Sequence, residues 1–283
     1  MVLQSPLNIQ VLVSAVEKDV KALAKQMQLK TSAIMINQCD KYDYIEWILN
    51  TEQMGDADKK HEHIMSCKIR CFSMPERGVG LSRNTALLHA DADICLFSDD
   101  DIVLNGHYPE ALRKAYEEHP DADMILFNVK VAPERRTYWN DRVKRIHWYN
   151  YGRYPAYSIS GRLDSLRKAN VQFSLLFGGG AKYSNGEDSL FLRDCLKAGL
   201  VIYAVPDCIG EEIPRPSTWF SGYTEKFFTD RGVLYHYLYG KLAGLFALRF
   251  LIKNKEEMCK EIPFKSAYRM MKAGIRVKHG KNF

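Results

Sequence analysis

The chain of 283 residues has no run of about 18 or more uncharged apolar residues, so it offers no helix to cross a bilayer. Its first residues, MVLQSPLNIQ, lack a basic stretch and a small-residue cleavage site, which argues against a secretory leader. No internal repeat or low-complexity tract occurs, and 18 Gly and 10 Pro are ordinary counts, so collagen-like chains are excluded. Seven cysteines are an odd number, and several lie inside apolar runs where a thiol acts as a small hydrophobe. They suit a reducing compartment better than a disulfide framework, and the expected location is cytoplasmic.

What is present is a folding chain. Hydrophobic residues make up 46% and aromatics 12%, too much for a disordered polymer. The length fits one large domain, or one domain with an appendage. Charge is uneven. The net charge is +6, but residues 241–283 alone carry +8, so the first 240 residues sum to about −2.

Apolar runs alternate with helical spacing. Asn8–Val16, Ser32–Asn37, Ile64–Phe72, Ile94–Phe97, Met124–Val131 and Val201–Val205 read as strands. Glu17–Leu29, Ser82–Ala90, His107–Glu118 and Glu187–Ala198 read as helices, the last stopped by Gly199. Tyr44–Leu49 is ambiguous, and 50–62 reads as a polar loop. Residues 132–176 are rich in Arg and aromatics with weak periodicity, either a solvated excursion or a region that stacks sugar rings. The alternation predicts an α/β fold with a mostly parallel sheet, whose ligands bind beyond the C-terminal strand ends.

Three motifs carry chemistry. Asp99, Asp100 and Asp101 end a buried strand, and three crowded anions call for a compensating cation. Asp99 and Asp101 point the same way on an extended segment and so could share a divalent ion. Glu187 and Asp188 open a helix soon after Gly178, Gly179 and Gly180, where the dipole favours the ionised form that a general base needs. Arg77 to Asn84 open another helix, whose N-terminus and Arg83 suit a phosphate, although Arg83 could equally pair with a surface carboxylate.

The order of these motifs, GVGLSRNTALLHA, then DICLFSDDD, then FGGG and GEDSLFL, resembles the inverting GT-A glycosyltransferases of family 2 over residues 8–230. The family's Asp-x-Asp falls on Asp99 and Asp101, and its Glu-Asp pair on Glu187 and Asp188. Three departures are visible. Ala86 stands for a family glycine, Asn37 or Gln38 with Asp40 beyond stands for the acid that pairs with uracil, and no His follows at 209–220, leaving either Glu211 or Glu212 as a substitute ligand or the ion on Asp101 and phosphate alone.

The resemblance implies a Rossmann-like sheet flanked by helices. It divides the chain into a catalytic domain, 1–230, with a nucleotide-binding half (1–101) and an acceptor half (102–230), and a helical extension, 231–283. It implies transfer of a hexose-type sugar from a nucleoside diphosphate donor, a UDP-sugar foremost, to a glycan or a polyprenyl-diphosphate-linked acceptor in cell-surface polysaccharide synthesis. Asp188 would be the base beside Glu187. Asp99 and Asp101 would hold Mg²⁺ or Mn²⁺. Ser14, Ala15, Asn37, Gln38, Asp40, Arg83, Asp99, Asp100 and Gly179 would meet the donor.

Other readings compete. Sugar-phosphate nucleotidyltransferases share the fold type but carry a Gly-rich loop after the first strand, where this chain has Val13–Val20 without glycine. A non-catalytic carbohydrate-binding module explains the aromatics but not the two acid clusters. His61, His63, Cys67 and Cys71 are zinc-ligand types, but their spacing is not that of a finger or ribbon. The basic C-terminal segment carries Tyr235, Leu238, Leu242, Leu245, Phe246 and Ile252 at amphipathic spacing. It therefore reads as a helical cap or a peripheral contact with anionic membrane at the inner leaflet, rather than a nucleic-acid site.

Overall fold

Ile9–Val16 (β1) is apolar on both faces and almost wholly buried, as a central strand with neighbours on each side must be. In the computed structural model, which describes residues 6–52, 64–214 and 222–277, it pairs in parallel with Ser32–Gln38 (β2) and, on its other edge, with Ile94–Asp99 (β5). Between them in sequence lie Val20–Gln26 (α1), capped by the Asp19 carboxylate on two backbone N–H groups, and Val79–His89 (α2). Asp43–Glu52 (β3) and Ile64–Met74 (β4) complete this half, β4 parallel to β2 and β3 antiparallel at the edge.

The second half holds Ile102–Leu104 (β6), Tyr108–Glu118 (α3), Met124–Lys130 (β7), Lys144–Arg145 (β8), Ile159–Arg162 (β9), Leu163–Ala169 (α4), Glu187–Lys197 (α5) and Ile202–Glu212 (β10). The ten-stranded sheet runs β3-β4-β2-β1-β5-β9-β7-β10-β6, with β8 on β10. One face is covered by α1 and α3, the other by α2, α4 and α5. The expected α/β sheet flanked by helices is what forms.

The ambiguous segment 44–49 lies in β3, an edge strand opposite β4, and residues 50–52 extend it. The rest of the expected polar loop, 53–63, lies outside the described residues. The excursion 132–176 contributes β8, β9 and α4. β9 runs antiparallel between β5 and β7 and joins the two halves. Its sequence, ISGR, carries little apolar signal because its burial is satisfied by polar contacts: the Ser160 hydroxyl donates to the Ile125 carbonyl and pairs with the Tyr116 hydroxyl.

Glu225–Tyr239 (α6), Ala243–Lys253 (α7), Lys255–Met258 (α8) and Phe264–Arg276 (α9) follow. The apolar segment 232–253 is thus two helices broken near Gly240. These helices share a core with Phe177, Tyr183 and Leu190, so the C-terminal segment packs directly on the glycine-rich loop and α5. α6 and α9 touch closely: a Cβ at Gly232 would lie 2.1 Å from the Met271 carbonyl oxygen. Among the described residues no helix is long and apolar enough to cross a membrane.

Candidate active site

The C-terminal ends of β1, β2 and β5 lie side by side. Ser14 is in register with Ile36 and with Asp99, and Ala15 with Asn37. This gathers Ser14, Ala15, Asn37, Gln38 and Asp99 at one edge of the sheet, where open α/β folds bind ligands. Two amides there are occupied by backbone. Asn37 accepts from the Lys18 N–H (3.1 Å) and donates to its carbonyl (3.1 Å), and Gln38 accepts from the Gly78 N–H (3.0 Å) and donates to its carbonyl (2.9 Å). They shape the loops after β1 and before α2. The Ser14 hydroxyl meets that of Ser82 at 2.9 Å. Asp40 is exposed and pairs with Arg77 at 3.2 Å.

Arg77 is a residue that motif reading passed over. It donates to Glu17 (2.7 Å) and to the Gln38 carbonyl (2.6 Å) as well as meeting Asp40, so it straps the β1 and β2 loops together. The signal was present in the glycine-flanked segment that opens α2, but nothing in it said which loops Arg77 would reach.

The centre of the site is Arg83, on the second turn of α2 and 3% exposed. Its guanidinium donates to Asp99 (2.9 Å), Glu187 (3.0 Å) and Asp188 (2.9 Å). Asp99 of the triplet and the distant Glu-Asp pair therefore converge on one guanidinium. Its neighbour Asn84 clamps Phe173, accepting from its N–H (2.8 Å) and donating to its carbonyl (2.9 Å). The Arg83 fork lies 5.3 Å from the Phe173 ring, and its Nε is buried without a hydrogen-bond partner.

Charge explains the arrangement. Burial works against the Arg83 cation, but Asp99, Asp188 and Glu187 outweigh it and hold the guanidinium above its ordinary value. Burial lifts the Asp188 carboxyl well above the usual 3.8, Glu187 and Asp99 push the same way, and Arg83 opposes them. One guanidinium against three carboxylates leaves negative charge uncompensated, which tighter proton binding at Asp188 partly relieves.

The glycine loop fixes where Glu187 sits. Gly178 has φ +103°, and a Cβ on it would lie 2.7 Å from Glu187 Cδ and 2.6 Å from Val79 Cγ1. The Gly179 carbonyl accepts from the Val79 N–H at 2.9 Å, tying the loop to the start of α2. Tyr157 is a second residue that sequence reading missed. Its phenol is pushed up by burial, then by Tyr138, Glu212, Asp99 and Asp188, so it shares the field of this cluster. Nothing in the aromatic-rich excursion distinguished it from its neighbours.

Asp100 is buried and lies 3.7 Å from Lys18 Nζ and 3.4 Å from the Val16 N–H. Asp101 is buried, and its carbonyl accepts from the Ile213 N–H at 2.8 Å. Glu212, in register with Ile102, is ion-paired with Arg135 at 2.8 Å, and Glu211 is in register with Val103. Among the described residues no three His, Cys, Asp or Glu side chains group to hold a metal. Asp99 and Asp101 carry hard oxygen donors, the ligand type that Mg²⁺ or Mn²⁺ takes. Residues 215–221 lie outside the described residues, as do His61 and His63. Cys67 and Cys71 are buried in β4, and burial pushes both thiols up, Cys71 to about 11.

Comparison with known proteins bears on the family and the fold. The sequence profile of glycosyl transferase family 2 matches residues 20–170. Among solved structures, S. aureus TarS 1-349 in complex with UDP-GlcNAc aligns with 90% of this chain and 74% of its own, at 15% identity and TM-score 0.57. TarS 1-349 without that ligand gives 13% identity over the same coverage, with TM-score 0.55. The mannosyltransferase PcManGT of Pyrobaculum calidifontis, in complex with GDP-Man and Mn²⁺, aligns with 96% of this chain and 86% of its own, at 10% identity and TM-score 0.50. No curated protein sequence matches significantly. At these identities the likeness to solved structures establishes the fold.

Proposed function

The chain belongs to glycosyl transferase family 2 and has the GT-A fold, and from that premise we propose that its strand-end cleft moves a hexose-type sugar from a nucleoside diphosphate donor to an acceptor hydroxyl with inversion. UDP is the expected nucleotide, and the acceptor is a glycan or a polyprenyl-diphosphate-linked sugar of cell-surface polysaccharide synthesis. The observation that carries this reading is the single guanidinium of Arg83 joining Asp99 to Glu187 and Asp188. The complexes of similar folds with UDP-GlcNAc, and with GDP-Man and Mn²⁺, support a nucleotide-sugar donor and a divalent ion.

The chemistry follows from the residues. The acceptor hydroxyl gives its proton to the Asp188 carboxylate as its oxygen forms a bond to the anomeric carbon. The bond from that carbon to the donor phosphate breaks, and the nucleoside diphosphate leaves with the electron pair. Attack and departure on opposite faces invert the carbon. Asp99 and Asp101 would hold a divalent ion, which offsets the charge gathering on the leaving diphosphate. Arg83 keeps Asp188 fixed relative to Asp99, so base and donor site hold one geometry. Glu187, 8% exposed, supports that position from the first turn of α5.

The test is a donor screen. The protein is incubated with Mn²⁺ and a panel of nucleotide sugars, and the nucleotide released by slow hydrolysis is measured. Divalent-dependent release from one UDP-hexose is expected. No release from any donor, or pyrophosphate formed from a sugar phosphate and a nucleoside triphosphate, overturns the proposal.

A further inference from the structure

The apolar residues of the C-terminal segment divide into two sets. Ala243, Ala247 and Leu251 of α7 are buried against α6 and α9, and Phe246 stacks on Tyr239 at 4.0 Å. Leu242, Leu245 and Ile252 face outward, with 57%, 64% and 62% of their surface exposed. On one helix these two sets occupy opposite sides, so α7 both caps the core and presents a second apolar stripe that the fold leaves uncovered. The stripe borders a shallow groove of about 410 Å³ lined by Leu245, Leu248, Arg249, Ile252 and Lys253.

The charge carried by residues 240–254 has one sign. Lys241, Arg249 and Lys253 are exposed, and no acidic residue occurs from 240 to 254. None of the three cations is in an ion pair among the described residues, whereas Arg83 and Arg77 are each held by carboxylates. Exposed leucine and isoleucine with flanking lysine and arginine are the composition of a helix lying in a membrane interface.

We propose that the outer face of α7 seats on an anionic lipid bilayer, with Leu242, Leu245 and Ile252 entering the acyl boundary and Lys241, Arg249 and Lys253 meeting phosphate headgroups. A second copy of the chain is the less suitable occupant, because a two-fold contact through this face would bring the same three cations together. The surface is separate from the Arg83 cluster, so its test does not depend on donor turnover.

The full chain is mixed with vesicles of phosphatidylcholine alone or with added phosphatidylglycerol, and bound protein is measured by flotation. Binding is expected only with the anionic lipid, and it is expected to weaken at about 0.5 M salt, where screening shortens charge attraction to a few ångströms. The double substitutions Leu245→Glu with Ile252→Glu, and Arg249→Glu with Lys253→Glu, should each lower binding by at least about tenfold. Both should keep the wild-type circular dichroism spectrum and donor hydrolysis. Absence of flotation by the intact chain overturns the proposal. So does wild-type flotation by either double variant, or a dimer in light scattering that Leu245→Glu with Ile252→Glu abolishes while lipid binding is absent.

Discussion

Replacing Arg83 by alanine removes the one cation that, among the described residues, is ion-paired with all three acids. Its side chain is 4% exposed, and it holds Asp99, Glu187 and Asp188 at 2.9, 3.0 and 2.9 Å. Deleting one partner of a buried ion pair leaves charge uncompensated and costs about 3–5 kcal/mol. For a domain of this size that corresponds to a drop in Tm of roughly 6–20 °C. The loss should depend on pH in a definite direction. Without Arg83 the three carboxylates relieve their repulsion only by taking up protons, so the deficit should be largest at alkaline pH and shrink as pH falls. Arg83→Met keeps most of the aliphatic bulk beside Phe173 and removes the charge, so it should lose nearly as much as Arg83→Ala. Thermal unfolding of both variants across a pH series is the assay. A deficit under about 1 kcal/mol at pH 8, or one that does not change with pH, would refute the reasoning.

Other outcomes follow from the same site. Asp188 must be ionised to accept a proton, and its pKa is held above 3.8, so kcat/KM should fall on the acid side with an apparent pKa above that value; an acid limb at or below 3.8 contradicts it. The same shift means the folded chain binds this proton more tightly than the unfolded chain. Asp188's contribution to stability is therefore present below pH 3.8 and is lost as pH rises from there through its raised folded value. Asp101→Ala should weaken donor binding at least about tenfold in Mn²⁺ and leave metal-free binding unchanged, as read by titration calorimetry with and without the ion. Gly178→Ala should cost roughly 1–3 kcal/mol in thermal unfolding, because the added methyl at φ +103° would collide with Glu187 and Val79; unfolding at the wild-type temperature removes the glycine loop as a positioning element.

Much of the fold was legible because the inner strands are apolar on both faces. β1, β2, β5 and β7 announce themselves as runs, and α3 and α5 by their spacing. β9 was not legible. Ser160 and Gly161 carry it, and their burial depends on a tyrosine and a carbonyl from other elements. β3 was ambiguous because Tyr44, Ile45 and Ile48 stay exposed on an edge strand, which blurs the alternation. The two acid clusters were visible as motifs, but the residue that unites them was not. A helix-opening arginine suggests phosphate, and only the tertiary structure shows Arg83's fork taken up by carboxylates 16 and about 105 residues away. Asn37 and Gln38 illustrate the same limit, because spacing places them at a strand end and only the fold shows each amide paired with a distant backbone. In the C-terminal segment, period alone put Phe246 and Leu245 on one amphipathic side, whereas packing turns the first inward and the second outward.

The central claim of the proposal is that Asp188 removes the acceptor's proton while Asp99 and Asp101 serve the donor. Single-turnover transfer by Asp188→Asn, measured beside donor affinity in Mn²⁺, tests it most directly. The account predicts transfer reduced by about 10²-fold or more with donor affinity nearly unchanged. Transfer close to wild type, or a variant that loses donor binding in proportion to its rate, would contradict it.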